Sequence, residues 1–141
     1  MSFTERELGY LRSQPLGRLA TVGPHGQPDV AAVAFRVYED GTIAVAGMDI
    51  AASRKGRNVH AGADRVALIV DDLETVDPWR PRGIRIYGRA ELLEATGDPP
   101  HGGSLRITPE TSWSWGIEPP PPGARGFNPQ RTDHRAGRGR G

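Results

Sequence analysis

Apolar and polar positions alternate along most of the chain, and only two short stretches carry helical signals instead. The first is "FTERELGYLRSQ", where Leu8 and Leu11 lie three apart and Thr4 with Glu7 spells a capping box. Phe3 is placed to staple onto Leu8, and "PLG" ends the segment. The second is "SRKGRNVH", with Ser53 as N-cap and Gly56 weakening the helical propensity. The remaining apolar runs read as strands: "GRLATV", "DVAAVAFRVY", "TIAVAG", "RVALIV", "GIRIYGRAELL", and a broken last strand made of "SLRIT" and "SWSWGI". In the second of these Val33, Phe35 and Val37 share one face, and in the fifth Ile84 and Ile86 oppose Arg85, Tyr87 and Arg89. "GPHGQP" and "EDG" read as tight turns, and "DDLETVDPWRPR" and "EATGDPPHGG" as long loops. Six strands joined by connections too short for parallel crossovers predict a mainly β chain, a small antiparallel barrel that closes its own edges.

Charge divides the chain unevenly. Residues 119–141, "PPPPGARGFNPQRTDHRAGRGRG", hold five arginines, one acid, five prolines and five glycines, whereas residues 1–118 carry a net charge of −3. One aromatic residue in that tail, Phe127, buries too little apolar surface to offset the entropy of ordering, so the tail reads as disordered after a folded domain of residues 1–118. An acidic body does not fit a nucleic-acid binder, which leaves RNA contact through the tail as the weakest reading. There is no cysteine, no long apolar run and no apolar signal core, so a cytoplasmic protein without membrane partners is the expectation.

The chemistry-bearing residues are few. Lys55 is the single lysine beside seventeen arginines, and it stands with Arg54, Arg57 and Asn58 at the start of the second helix. Three cations, an amide and free N–H groups there suit a phosphate, and each charge-assisted contact adds about 1.5–3 kcal/mol where water is excluded. A solvated basic face fits the same spacing equally well. Trp113 and Trp115 share one strand face and serve either a ligand or a core, while Trp79 sits in a loop, where a tryptophan points to a ligand or partner surface. Four histidines lack metal-ligand spacing, and no nucleophile elbow or Walker loop occurs. An enzyme built from these parts needs a bound cofactor for its chemistry.

Taken in order, "GRLATV", "SRKGRNV" and "RVALIVDDLETVDPWRPRGIRIYGRAE" carry a resemblance that spans roughly residues 3–117. The chain resembles the pyridoxamine-phosphate-oxidase-like split-barrel proteins, in the actinobacterial branch that depends on the deazaflavin coenzyme F420 and includes a reductase of tetracycline biosynthesis. The resemblance implies a six-stranded Greek-key split barrel and a homodimer with two cofactor sites in grooves between subunits. It places Arg54 and Lys55 on the cofactor phosphate, with Arg57 and Asn58 assisting. It also places Val33, Ala34 and Phe35 along the flat ring, Ala46, Gly47 and Met48 beside the same groove, and Trp113, Trp115 and Gly116 closing it. The implied activity is hydride transfer from the reduced deazaflavin to an unsaturated small organic substrate. No catalytic acid stands out; Tyr87, on a polar strand face, is the candidate. FMN in an oxidase or flavin reductase, and a binding protein without turnover, remain alternatives.

Overall fold

A computed structural model of the chain describes residues 2–135. The elements run α1 (Glu5–Ser13), β1 (Gly17–Val22), β2 (Pro28–Val33), β3 (Phe35–Val37), β4 (Ile43–Ala46), α2 (Arg54–His60), β5 (Arg65–Thr75), β6 (Arg80–Thr96), β7 (His101–Trp115) and β8 (Gln130–Asp133). Hydrogen bonding orders the strands β2-β1-β5-β6-β7-β4-β3, with β8 added beside β7, and every pairing is antiparallel. The two ends of this ladder, β2 and β3, are the halves of one predicted strand, interrupted at Ala34. Val33 still pairs with Gly17 of β1, whereas Phe35 already pairs with Val45 of β4. The sheet therefore curls until one strand crosses from its first edge to its last, which is the split of a split barrel.

Period-two burial builds the core. Leu19, Ile43, Val45, Leu68, Val70, Ile84, Ile86, Leu105 and Ile107 are at most 1% exposed, and each stabilises the fold by about 1.5–3 kcal/mol relative to exposure. The alternation along β6 is as read from sequence, with Arg85, Tyr87 and Arg89 outward. Helix α1 carries the capping box in full, since Glu7 N–H donates to Thr4 Oγ1 (3.1 Å) and Thr4 N–H donates to Glu7 Oε1 (2.9 Å).

Three expectations are corrected. Both long loops are largely strand: β5 and β6 extend to a short turn at residues 76–79, and β6 and β7 to one at 97–100, because an antiparallel hairpin satisfies its backbone in pairs even where side chains are polar. The last strand is continuous, and the break read in it is a register shift that leaves Glu110 unopposed between Pro109 and Thr111. The tail is not structureless throughout. Residues 130–133 pair with β7, Thr132 and His134 are buried, His134 Nε2 lies 2.8 Å from Ser112 Oγ, and its ring packs edge-on against Phe3. Four residues gain partners from an existing edge, so the segment orders without a core of its own. Residues 136–141 of that tail lie outside the described residues.

Candidate functional site

Helix α2 is where the sequence places the cofactor phosphate, and its position is set by two close fits. Ser53 Oγ accepts from Gly56 N–H (3.3 Å) and donates to the Ile50 carbonyl (2.5 Å), which fixes the turn into the helix. Gly56 then lies against that same carbonyl: a Cβ there would stand 1.9 Å from Ile50 O. The glycine that weakens the helix by propensity is what lets it dock. Further along, Asn58 Nδ2 donates to Thr21 Oγ1 (3.0 Å) inside the barrel, and Val59 is buried beside it.

These contacts decide which polar side chains are free. Arg54 and Arg57 are exposed and Lys55 half-buried, and none of the three meets an acidic partner among the described residues. Asn58 does not stand with them; at 4% exposure its amide is spent on Thr21, and it positions the helix. With only seven residues α2 has a small dipole, so the side chains carry whatever anion affinity the site has.

Residues of the neighbouring strands divide in the same way. Continuing the β3–β4 register sets Ala34 opposite Ala46, and both are exposed. Gly47 and Met48 follow them at the surface. Asp49 Oδ1 accepts from Gly102 N–H (2.7 Å), and Ala51 N–H donates to Gly102 O (2.8 Å), which pins this linker to the β6–β7 hairpin before α2 begins. Phe35 is half-buried and lines a cleft of about 430 Å³ with α1. Val33 is corrected: its side chain is 5% exposed and belongs to the core.

Trp113, Trp115 and Gly116 are elsewhere. Ala46 pairs with Ser104 of β7, and Trp113 is nine residues further along that strand, about 30 Å. Along β7 the tryptophans therefore stand well away from the Ala46 end of the sheet. Trp113 lies on the outer sheet face, edge-on to Tyr87 (5.0 Å between centroids) and under the Arg85 guanidinium at 4.5 Å. The Tyr87 hydroxyl makes no hydrogen bond among the described residues and opens on a cleft of about 490 Å³ that also holds Arg65, Glu110, Thr111 and Arg135. Among the described residues no group of three His, Asp or Glu side chains is placed to hold a metal.

A buried-edge network steadies the other end. Arg82 grips Asp72 with two hydrogen bonds (3.0 and 2.7 Å), and the Tyr10 hydroxyl donates to the same carboxylate (2.9 Å). The Arg82 hydrogen bonds hold Asp72 below the usual carboxylate range, and burial, reinforced by Asp72, pushes the Tyr10 phenol well above its ordinary value. Asp72 is thus a structural joint between α1 and the β5–β6 hairpin. Sequence reasoning missed Thr21, the docking role of Gly56 and the contribution of Phe127, which packs at 5.9 Å from Trp115. A polar residue at an inward position of β1 was the available signal for Thr21.

Residues 3–114 match the pyridoxamine 5'-phosphate oxidase family. A 5a,11a-dehydrotetracycline/5a,11a-dehydrooxytetracycline reductase of Streptomyces rimosus is 46% identical over 123 residues, covering 84% of this chain and 86% of the relative. Among solved structures, a conserved hypothetical protein of Mycobacterium tuberculosis superposes with a TM-score of 0.64 at 24% identity, covering 89% of this chain and 94% of the other. An F420 reductase superposes at 0.55 and 21% identity, covering 70% and 90%. These two establish the fold, while the family match and the Streptomyces rimosus relative carry the chemistry. The chain is an oxidoreductase with the split-barrel fold, and it belongs to the pyridoxamine 5'-phosphate oxidase family.

Proposed function

We propose that this chain is a homodimeric reductase that uses coenzyme F420 to reduce a conjugated carbon–carbon double bond in a small organic substrate. The observation that carries the reading is the set of three cations, Arg54, Lys55 and Arg57, left without acidic partners among the described residues on the helix that follows β4 and its small exposed residues Ala46 and Gly47. Small side chains admit a flat ring against the strand, and the cations suit the phosphodiester and carboxylates of the coenzyme. Bound there in reduced form, the deazaflavin would supply a hydride. The protein's part is to fix the ring, keep water out and hold the acceptor carbon within about 3–3.5 Å. Tyr87 offers an uncommitted hydroxyl as proton donor.

The dimer is supported by the spread of the residues that would line one groove: Trp113 lies about 30 Å along β7 from Ser104, the pairing partner of Ala46, and a second copy would bring its own Trp113 to Gly116 to that end. The substrate class is supported by the relative named as a dehydrotetracycline reductase.

The test is equilibrium titration of purified protein with F420 and with FMN, repeated on Arg54→Ala and Lys55→Ala. The reading expects tighter binding of F420 than of FMN, and a loss of about tenfold or more in either variant. Tightly held FMN released from the purified protein, or unchanged F420 affinity in both variants, overturns it.

A further inference from the structure

A third cleft, of about 420 Å³, opens where residues 116–130 run back past the β5–β6 hairpin. Its volume falls in the range of small-molecule sites. Three aromatic side chains line it: Trp79 from the hairpin turn, Trp115 from the end of β7 and Phe127 from the tail. Trp79 and Phe127 are 67% and 72% exposed, far more than large aromatic residues with a packing role would be. Trp115 is held in place from beneath. Gly83 lies under its indole so closely that a Cβ would stand 2.5 Å from Cζ2, so the ring rests on the β6 backbone, tilted 59° to Phe127.

The polar lining has a definite character. Asn128 and Gln130 contribute side-chain amides with no hydrogen-bond partner among the described residues, each able to donate and accept. Glu118 is the one charged residue of the lining, fixed by Thr4 and Arg6, and no Lys or Arg lines the cleft. A phosphate or other anion does not fit. An uncharged aromatic ligand bearing hydroxyl and carbonyl groups does, stacking on the rings and exchanging hydrogen bonds with the amides.

We propose that this cleft binds the substrate as a flat polycyclic phenol-ketone, with Phe127 and Trp79 as specificity-determining residues. The inference rests on the reductase reading for what is bound, and it assigns the tail a role in recognition, since residues 127–130 supply one aromatic wall and both amides. The cofactor's phosphate and the substrate's ring system then use separate parts of the surface, one basic and one aromatic.

Calorimetric titration of the full chain with 1,8-dihydroxyanthraquinone, and in parallel with cyclohexenone, tests it. Wild type is expected to bind the anthraquinone and to show far weaker affinity for the small enone. Phe127→Ala and Trp79→Ala should each raise the anthraquinone Kd by about three- to tenfold, with unchanged melting temperature because both side chains are exposed. F420 titration of the same variants, read separately, should not move. Absence of anthraquinone binding to wild type, or equal affinity in both variants, overturns the cleft. If F420 fails to bind while the aromatic variants behave as stated, it is the cofactor reading that fails and not this one.

Discussion

Replacing Gly56 with alanine should unseat α2, although alanine is the better helix former. The new Cβ would lie 1.9 Å from Ile50 O, 2.7 Å from Ile50 C and 3.0 Å from Ala51 Cα, all backbone atoms. An ordinary C···O contact is about 3.3 Å, so the helix must withdraw by more than about an ångström while Asn58 and Val59 hold its far side in the core. Overpacking of this kind costs about 1–3 kcal/mol, and the higher propensity of alanine returns at most about 1 kcal/mol. The net loss, up to about 2 kcal/mol, should lower the melting temperature by up to roughly 8 °C, at about 4 °C per kcal/mol for a domain of this size. Thermal unfolding followed by circular dichroism reads it directly, and Gly9→Ala is the matched control. Gly9 lies within α1 with nothing inside 4 Å of its ideal Cβ, so the same change there should stabilise slightly. F420 affinity should fall in Gly56→Ala, because Arg54, Lys55 and Arg57 ride on the displaced helix, and stay level in Gly9→Ala. The docking argument is refuted if Gly56→Ala melts at or above wild type.

Asn58→Ala should cost about 1–3 kcal/mol in chemical denaturation, since it strands the buried Thr21 hydroxyl. Adding Thr21→Val should lose less than the sum of the two single changes, because the second removes the group the first left unpaired. Stability should also depend on pH at both extremes. Tyr10 holds its proton more tightly folded than unfolded, so its contribution is complete below about pH 10 and is lost as pH rises beyond. Asp72, held low by Arg82, contributes above about pH 4 and loses its contribution as pH falls below. Melting curves across pH should show both limbs, and Tyr10→Phe should flatten the alkaline one. An alkaline limb of undiminished slope in that variant would show that the Tyr10–Asp72 contact does not set it.

What could be read in advance follows from what period and chemistry report. Ile84 and Ile86 against Arg85 and Tyr87 announced a half-buried strand, and Thr4 with Glu7 announced a helix start, because both signals are local. The crossing at Ala34 was not legible, since the pattern of Val33, Phe35 and Val37 continues unbroken through the point where the strand changes neighbours. β8 was missed for a similar reason: "QRTDH" looks like solvated tail until β7 offers an edge and Ser112 a partner for His134. For the site, residue type pointed to Arg54, Lys55 and Arg57, which the fold leaves free. It could not separate Asn58 and Val33, whose side chains the three-dimensional packing turns inward. Nor could it foresee that Trp113 stands nine residues along β7 from the partner of Ala46, because that separation is a property of strand register.

The reductase reading stands most directly on one measurement: anaerobic mixing of the protein with reduced F420 and a polycyclic substrate containing a conjugated double bond, followed by the visible absorbance of the oxidised deazaflavin. Absorbance should recover with substrate present, in proportion to the double bond reduced, and should stay flat with Lys55→Ala at the same subsaturating coenzyme concentration. Recovery that is equal with and without protein, or a reaction that proceeds only when FMN replaces the deazaflavin, would contradict it.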